Sequence, residues 1–178
     1  MNDEHQLLAR ARRFEQDALS QIHDEYYAQV LRYALYRTGD HDLAEDIASE
    51  VFTRLLEGLR AGTGPTTTLA GWLFGVAARV VSDHFRQAYR APTVELDDGL
   101  GDFDLTPSGL TVQALEREEL LLAMKKLTEE QQHVIALRFG QGMPIDQAAR
   151  MLGKTEGAIK QLQARAVAAL ARQLKRDT

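Results

Sequence analysis

Apolar residues in this chain recur at helical spacing through both of its halves, and nowhere alternate in the two-residue rhythm of a half-buried strand. That pattern confines the fold to helices packed on helices. The periodicity is interrupted over residues 91–114, which contain two of the four prolines, three of the 13 glycines, and five acids with no base. Such a stretch has little intrinsic order and serves as a linker. The expected fold is therefore all-α, with two small helical domains joined by a flexible acidic linker. The expected boundaries are an N-terminal extension over 1–19, a first module over 20–91, the linker over 92–114 and a second module over 115–178.

Charge follows the same division. Residues 1–90 carry 10 bases against 13 acids, net −3, and residues 115–178 carry 11 bases against 8 acids, net +3. The linker alone accounts for −5, the net charge of the whole chain. An acidic total is compatible with nucleic-acid binding, because phosphate contact depends on a local basic face. There are no cysteines, which excludes disulfides and cysteine-ligated metal centres. No window of 18 residues is apolar and uncharged, and the opening MNDEHQLLARARR lacks the apolar core of a signal segment. The expectation is a cytoplasmic protein without membrane insertion.

In the first module, residues from Leu7 to Arg37 form one long helix or two shorter ones. Thr38-Gly39-Asp40 breaks the pattern, and Asp40 or Asp42 is a suitable N-cap for a helix running on to Leu59. That helix places Leu43, Ile47, Val51, Leu55 and Leu59 on one face, with Ala44 and Phe52 beside them. Asp42, Glu45, Asp46, Ser49, Glu50 and Thr53 fall outside that stripe. Gly62 to Thr68 is expected to be a flexible loop. A helix from Leu69 to Ala88 then buries Trp72, Leu73, Val76, Ala77 and Val80, while Arg79, Asp83, Arg86 and Arg90 share an outer stripe.

In the second module, Thr128 with Gln131 forms a capping box for a helix ending near Phe139. PIDQAARMLGKTEGAIKQLQARAVAAL then has the shape of a helix-turn-helix. Ala148 and Ala149 are small enough for a second helix to cross there, Gly153 makes the turn, and Thr155 is the next N-cap. Ile159, Leu162, Ala166, Ala169 and Leu170 form a buried stripe. Gly157, Lys160, Gln161, Ala164, Arg165 and Ala168 face the other way. Small residues there let a helix sink into a major groove, while Lys, Gln and Arg reach base edges and phosphates.

LTEEQQHVIALRFGQGMPIDQAARMLGKTEGAIKQLQARAVAAL resembles region 4 of the extracytoplasmic-function sigma factors of bacterial RNA polymerase, in Leu137-Arg138-Phe139, Ala148-Ala149, Leu152-Gly153 and Glu156 to Lys160. YYAQVLRYALYRTGDHDLAEDIASEVFTRLLEGL resembles the start of region 2, in Thr38-Gly39-Asp40 and Ala44-Glu45-Asp46. Trp72-Leu73, Ala77-Ala78 and Asp83-His84 resemble its DNA-facing helix. The resemblance covers about residues 20–90 and 115–173, in the family's order. Three features differ from the usual pattern: the loop before Trp72 has no aromatic residue, the arginine run after Asp83-His84 is thinned to Arg86 and Arg90, and Arg79 is followed by Val80 where an asparagine is usual.

The resemblance implies that the protein directs promoter-specific initiation as a polymerase subunit and is not an enzyme. It implies docking of Asp42, Glu45, Asp46, Ser49, Glu50 and Thr53 on the core polymerase, whose docking elements are the clamp helices of the largest subunit and the beta flap. It implies −10 contact through Thr66, Thr67, Thr68, Arg79, Asp83 and Arg86, with the threonine loop holding an unpaired base. It implies −35 contact through Lys154, Thr155, Glu156, Lys160, Gln161, Ala164 and Arg165. Promoter DNA, core polymerase and an anti-sigma factor are the expected partners, with no cofactor or metal. Among other classes, Gly62 and Gly64 lack the lysine and strand of a phosphate loop, and no nucleophile motif is present. The contrasting reading is a stand-alone helix-turn-helix regulator that works without polymerase.

Overall fold

Local signals set most helix ends in the computed structural model, which describes residues 2–66, 68–90 and 119–174. The acidic linker lies outside these residues. The first module contains α1 (Asn2–Arg12), α2 (Gln16–Thr38), α3 (His41–Ala61) and α4 (Leu69–Arg90). Gly39, at φ 72°, ends α2 in the left-handed conformation, its N–H donating to Leu35 O at 2.8 Å. Asp40 caps α3 by accepting from Leu43 N–H at 3.0 Å. Leu7 to Arg37 thus resolves into two helices. Phe14, at φ 58°, turns the chain between them. Arg10 and Arg13 both bind the Glu15 carboxylate at 2.7 Å, and these two hydrogen bonds hold its pKa below the usual value.

Helix α1 is an integral part of the first module. It contributes Leu7, Leu8 and Ala11 to the same buried cluster as Ile22, Val30 and Tyr33 of α2, Ile47, Val51 and Leu55 of α3, and Leu73, Phe74 and Val81 of α4. Every residue placed on the apolar stripe of α3 is buried or half-buried. In α4, Leu73, Val76, Ala77 and Val80 are buried, while Trp72 is half-buried at the edge of the core.

The second module comprises α5 (residues 119–125), α6 (Glu129–Ile135), α7 (Ile145–Leu152) and α8 (Glu156–Leu174). The capping box is formed in full: Thr128 Oγ accepts from Gln131 N–H, and the Gln131 side chain accepts from Thr128 N–H. Helix α6 does not continue as an α-helix to Phe139. From Ala136 to Gly140 it widens into a π-turn, a form rare in helices.

The widening coincides with a junction. Val134, Ile135, Ala136 and Leu137 are all buried, more than one face of a helix can hide against a single partner. They divide their contacts: Val134 packs with Ala148, Ala149 and Ile159, Ile135 with Met124, Leu127 and Ala166, and Ala136 with Leu137 joins the core of the first module. The modules are therefore packed on each other rather than merely tethered. Gln141 Nε2 donates to Gln29 O at 3.0 Å, and Ser82 on α4 hydrogen-bonds Glu129 on α6. Tyr33 faces His133 with ring centroids 5.4 Å apart. Arg37 is buried here beside Tyr33, donating to its hydroxyl at 2.7 Å.

Candidate nucleic-acid interface

Three surfaces carry the side chains singled out in the sequence. The first is the outer side of α3, where Asp42, Glu45, Asp46, Ser49, Glu50 and Thr53 are all exposed. Glu50 pairs with Arg54 one turn on, at 2.6 Å. Leu56 extends this face as an apolar patch, 43% exposed. Its spacing of three residues from Thr53 places it on the same side, a signal that an apolar-stripe reading of α3 passes over. At the start of α3, His41, Asp42 and Glu45 bring one ligand atom each within 4.8 Å. His41 and Glu45 lie 3.6 Å apart as an exposed i, i+4 pair.

The second surface is the segment from Gly62 to Thr68, with α4. This segment is not the free loop expected from its composition, because backbone groups at both ends are held. Gly64 lies against α3 so closely that a methyl group on Gly58 would meet Gly64 Cα at 3.2 Å. Gly64 and Pro65 are buried. The Arg12 guanidinium donates to Pro65 O at 2.8 Å, and the Glu4 carboxylate accepts from Leu69 N–H. Thr68 Oγ accepts from Gly71 N–H at 3.1 Å and its carbonyl from Trp72 N–H, so Thr68 caps α4. Thr66 is exposed between these anchors, and Thr67 lies outside the described residues. Arg79, Asp83 and Arg86 are exposed along α4, with Arg86 paired to Asp83 at 3.2 Å.

The third surface is the helix-turn-helix. Ala148 and Ala149 are buried where Ile159 crosses them, and Gly153 turns the chain at φ 61°. Thr155 Oγ accepts from Ala158 N–H at 3.2 Å. Gly157, Lys160, Gln161, Ala164, Arg165 and Ala168 are all exposed, while Ile159 and Ala166 are fully buried. Thr155 and Glu156 are exposed at the start of α8. Lys154 differs from its neighbours: it is half-buried, and its ammonium pairs with Glu130 at 2.6 Å. Arg138, part of the Leu137-Arg138-Phe139 motif but not among the expected DNA contacts, ties the π-turn to α8 by donating to Gln163 Oε1 at 3.0 Å.

Residues 22–91 match the family described as Sigma-70 region 2, and residues 123–172 match Sigma-70, region 4. The extracytoplasmic-function sigma factor SigL of Mycobacterium tuberculosis is 30% identical over 139 residues, 78% of each chain. This chain belongs to the extracytoplasmic-function sigma factors. Another member, BldN of Streptomyces coelicolor, is 37% identical over 175 residues, 97% of this chain and 66% of that protein. The chain thus spans just under two thirds of BldN's length. The sigma factor RpoE of Bartonella quintana, solved in complex with the anti-sigma factor NepR, shares the fold at 21% identity with a TM-score of 0.59, covering 89% of this chain and 98% of that one. Among the described residues no helix is long and apolar enough to cross a membrane.

Proposed function

We propose that this sigma factor binds core RNA polymerase and directs it to promoters by reading the −10 and −35 elements, and that it acts in the cytoplasm without catalysing a reaction of its own. The carrying observation is the outer face of α8. Five residues small or able to bond with DNA, Gly157, Lys160, Gln161, Ala164 and Arg165, are exposed together on a helix whose opposite stripe packs against α5, α6 and α7. That is the geometry by which a recognition helix enters a major groove.

Under this reading residues 20–91 engage the core and the −10 element, and residues 115–178 engage the −35 element. The exposed side of α3 docks on the clamp helices of the largest subunit through Asp42, Glu45, Asp46, Ser49, Glu50 and Thr53, and the second module meets the beta flap. Thr66 to Thr68 with Arg79, Asp83 and Arg86 contact the −10 element. Thr68 serves chiefly as the cap of α4, which leaves Thr66 and Thr67 to approach a base. Lys154, Thr155, Glu156, Lys160, Gln161, Ala164 and Arg165 contact the −35 element, Lys154 after releasing Glu130. An anti-sigma factor is the expected protein partner away from polymerase, as NepR is the partner of RpoE in the solved complex.

Holoenzyme binding to promoter fragments, with the −10 element fixed and the −35 element preferred or scrambled, tests the carrying observation. Lys160→Ala or Gln161→Ala is expected to cost about 1–3 kcal/mol on the preferred site and much less on the scrambled one. Arg165→Ala is expected to weaken both similarly and to reduce the salt slope by about one. An unchanged ratio for Lys160 and Gln161 would remove α8 from the groove.

A further inference from the structure

The segment that presents Thr66 is gripped by a helix that precedes the region 2 match, which begins at residue 22. Arg12, near the C-terminal end of α1, donates to Pro65 O, and Glu4, near its N-terminal end, accepts from Leu69 N–H. The partners are 53 and 65 residues apart in the chain. The two gripped backbone groups lie on either side of Thr66 in the chain. Leu69 N–H belongs to the first turn of α4, whose amides have no helical acceptor, and a carboxylate there also meets the positive end of the helix dipole. The gripping helix is itself fixed: Leu7, Leu8 and Ala11 are buried in the core, and Glu15 holds Arg10 and Arg13 just beyond.

We propose that α1 is a brace for the promoter-reading loop, with Arg12 and Glu4 as positioning residues that set where Thr66 stands. The proposal rests on the reading of that loop as the −10 contact. Ordering a backbone residue costs about 1–2 kcal/mol of conformational entropy. A loop held in place during folding does not incur that cost when it meets DNA. A loop released from one grip samples more positions, fits more bases, and discriminates less among them. The brace therefore acts on base preference at the −10 element, and leaves core docking and −35 reading alone.

The test uses full-length protein assembled with core polymerase on promoter fragments randomised across the −10 element, with the −35 element constant. Arg12→Ala and Glu4→Ala are each expected to lower discrimination among −10 sequences about fivefold, the factor matching the net worth of one hydrogen bond. Arg12→Lys keeps a donor and Glu4→Gln keeps an acceptor, so both should restore most of the preference. A merely destabilised protein would not be rescued at the −10 element alone, and would lose core affinity and −35 preference in parallel. Thr66→Val is the companion variant. If it shifts −10 preference while Arg12→Ala and Glu4→Ala do not, the brace is refuted and the loop reading survives. If none of the three shifts it, the loop reading falls and the brace falls with it.

Discussion

Acidification should loosen this protein through one histidine. His133 on α6 is half-buried at the junction of the modules, and its buried Nε2 has no hydrogen-bond partner among the described residues. Burial, and then the positive charge of Arg37, push its pKa down from the ordinary 6.5 to about 3. Tyr33 beside it is pushed up to about 12 by burial, despite Arg37. In the packed chain His133 stays neutral, whereas in the unfolded chain it takes up a proton as pH falls through 6.5. The stability at stake is present above the unfolded value and is lost progressively as pH drops from there toward 3. Between about pH 7.5 and about pH 5.5 the unfolded state gains a factor of about ten, or about 1.4 kcal/mol. For a chain of this length that is roughly 3–6 °C in Tm. Urea unfolding of the parent and of His133→Gln at the two pH values isolates the effect, because every other titrating group is common to both. The parent should lose about 1.4 kcal/mol more than the variant on acidification. Equal losses would show that His133 is not held neutral at a buried junction.

Two further perturbations probe the docking face and the junction. Reversing Asp46 and Glu50 to lysine should weaken core binding in a pull-down titration. Both are exposed, and Glu50 gives up only a surface pair with Arg54, so unfolding free energy should move by less than about 1 kcal/mol. Leu137→Ala empties a fully buried site where the second module enters the core of the first, and should cost about 2–5 kcal/mol in chemical denaturation.

The features legible in the sequence were those that depend on near neighbours. Asp40, Thr128 with Gln131, Gly153 and Thr155 act within three or four residues, so their capping roles could be written from the sequence and are seen in the hydrogen bonds. The stripes of α3 and α8 were legible for the same reason, since periodicity alone decides which side is apolar. The junction was not legible. Val134 to Leu137 read as an ordinary apolar run, and nothing local tells that its members serve three clusters. Arg37 ends a helix whose tail is polar in sequence, yet it is buried beside Tyr33, whose ring meets that of His133 nearly a hundred residues further on. The loop from Gly62 to Thr68 has the composition of a free segment, and nothing local in it shows that Arg12 holds Pro65 and that Glu4 holds Leu69 just beyond it.

The most direct test of sigma-factor function is run-off transcription with purified core polymerase on a library of promoter fragments. Adding this protein should yield transcripts that core alone does not make, from start sites sharing one −10 and one −35 element, and Lys160→Ala should relax the shared −35 sequence. Transcription no higher than with core alone, from a protein that binds DNA as a dimer and fails to co-elute with polymerase, would contradict it.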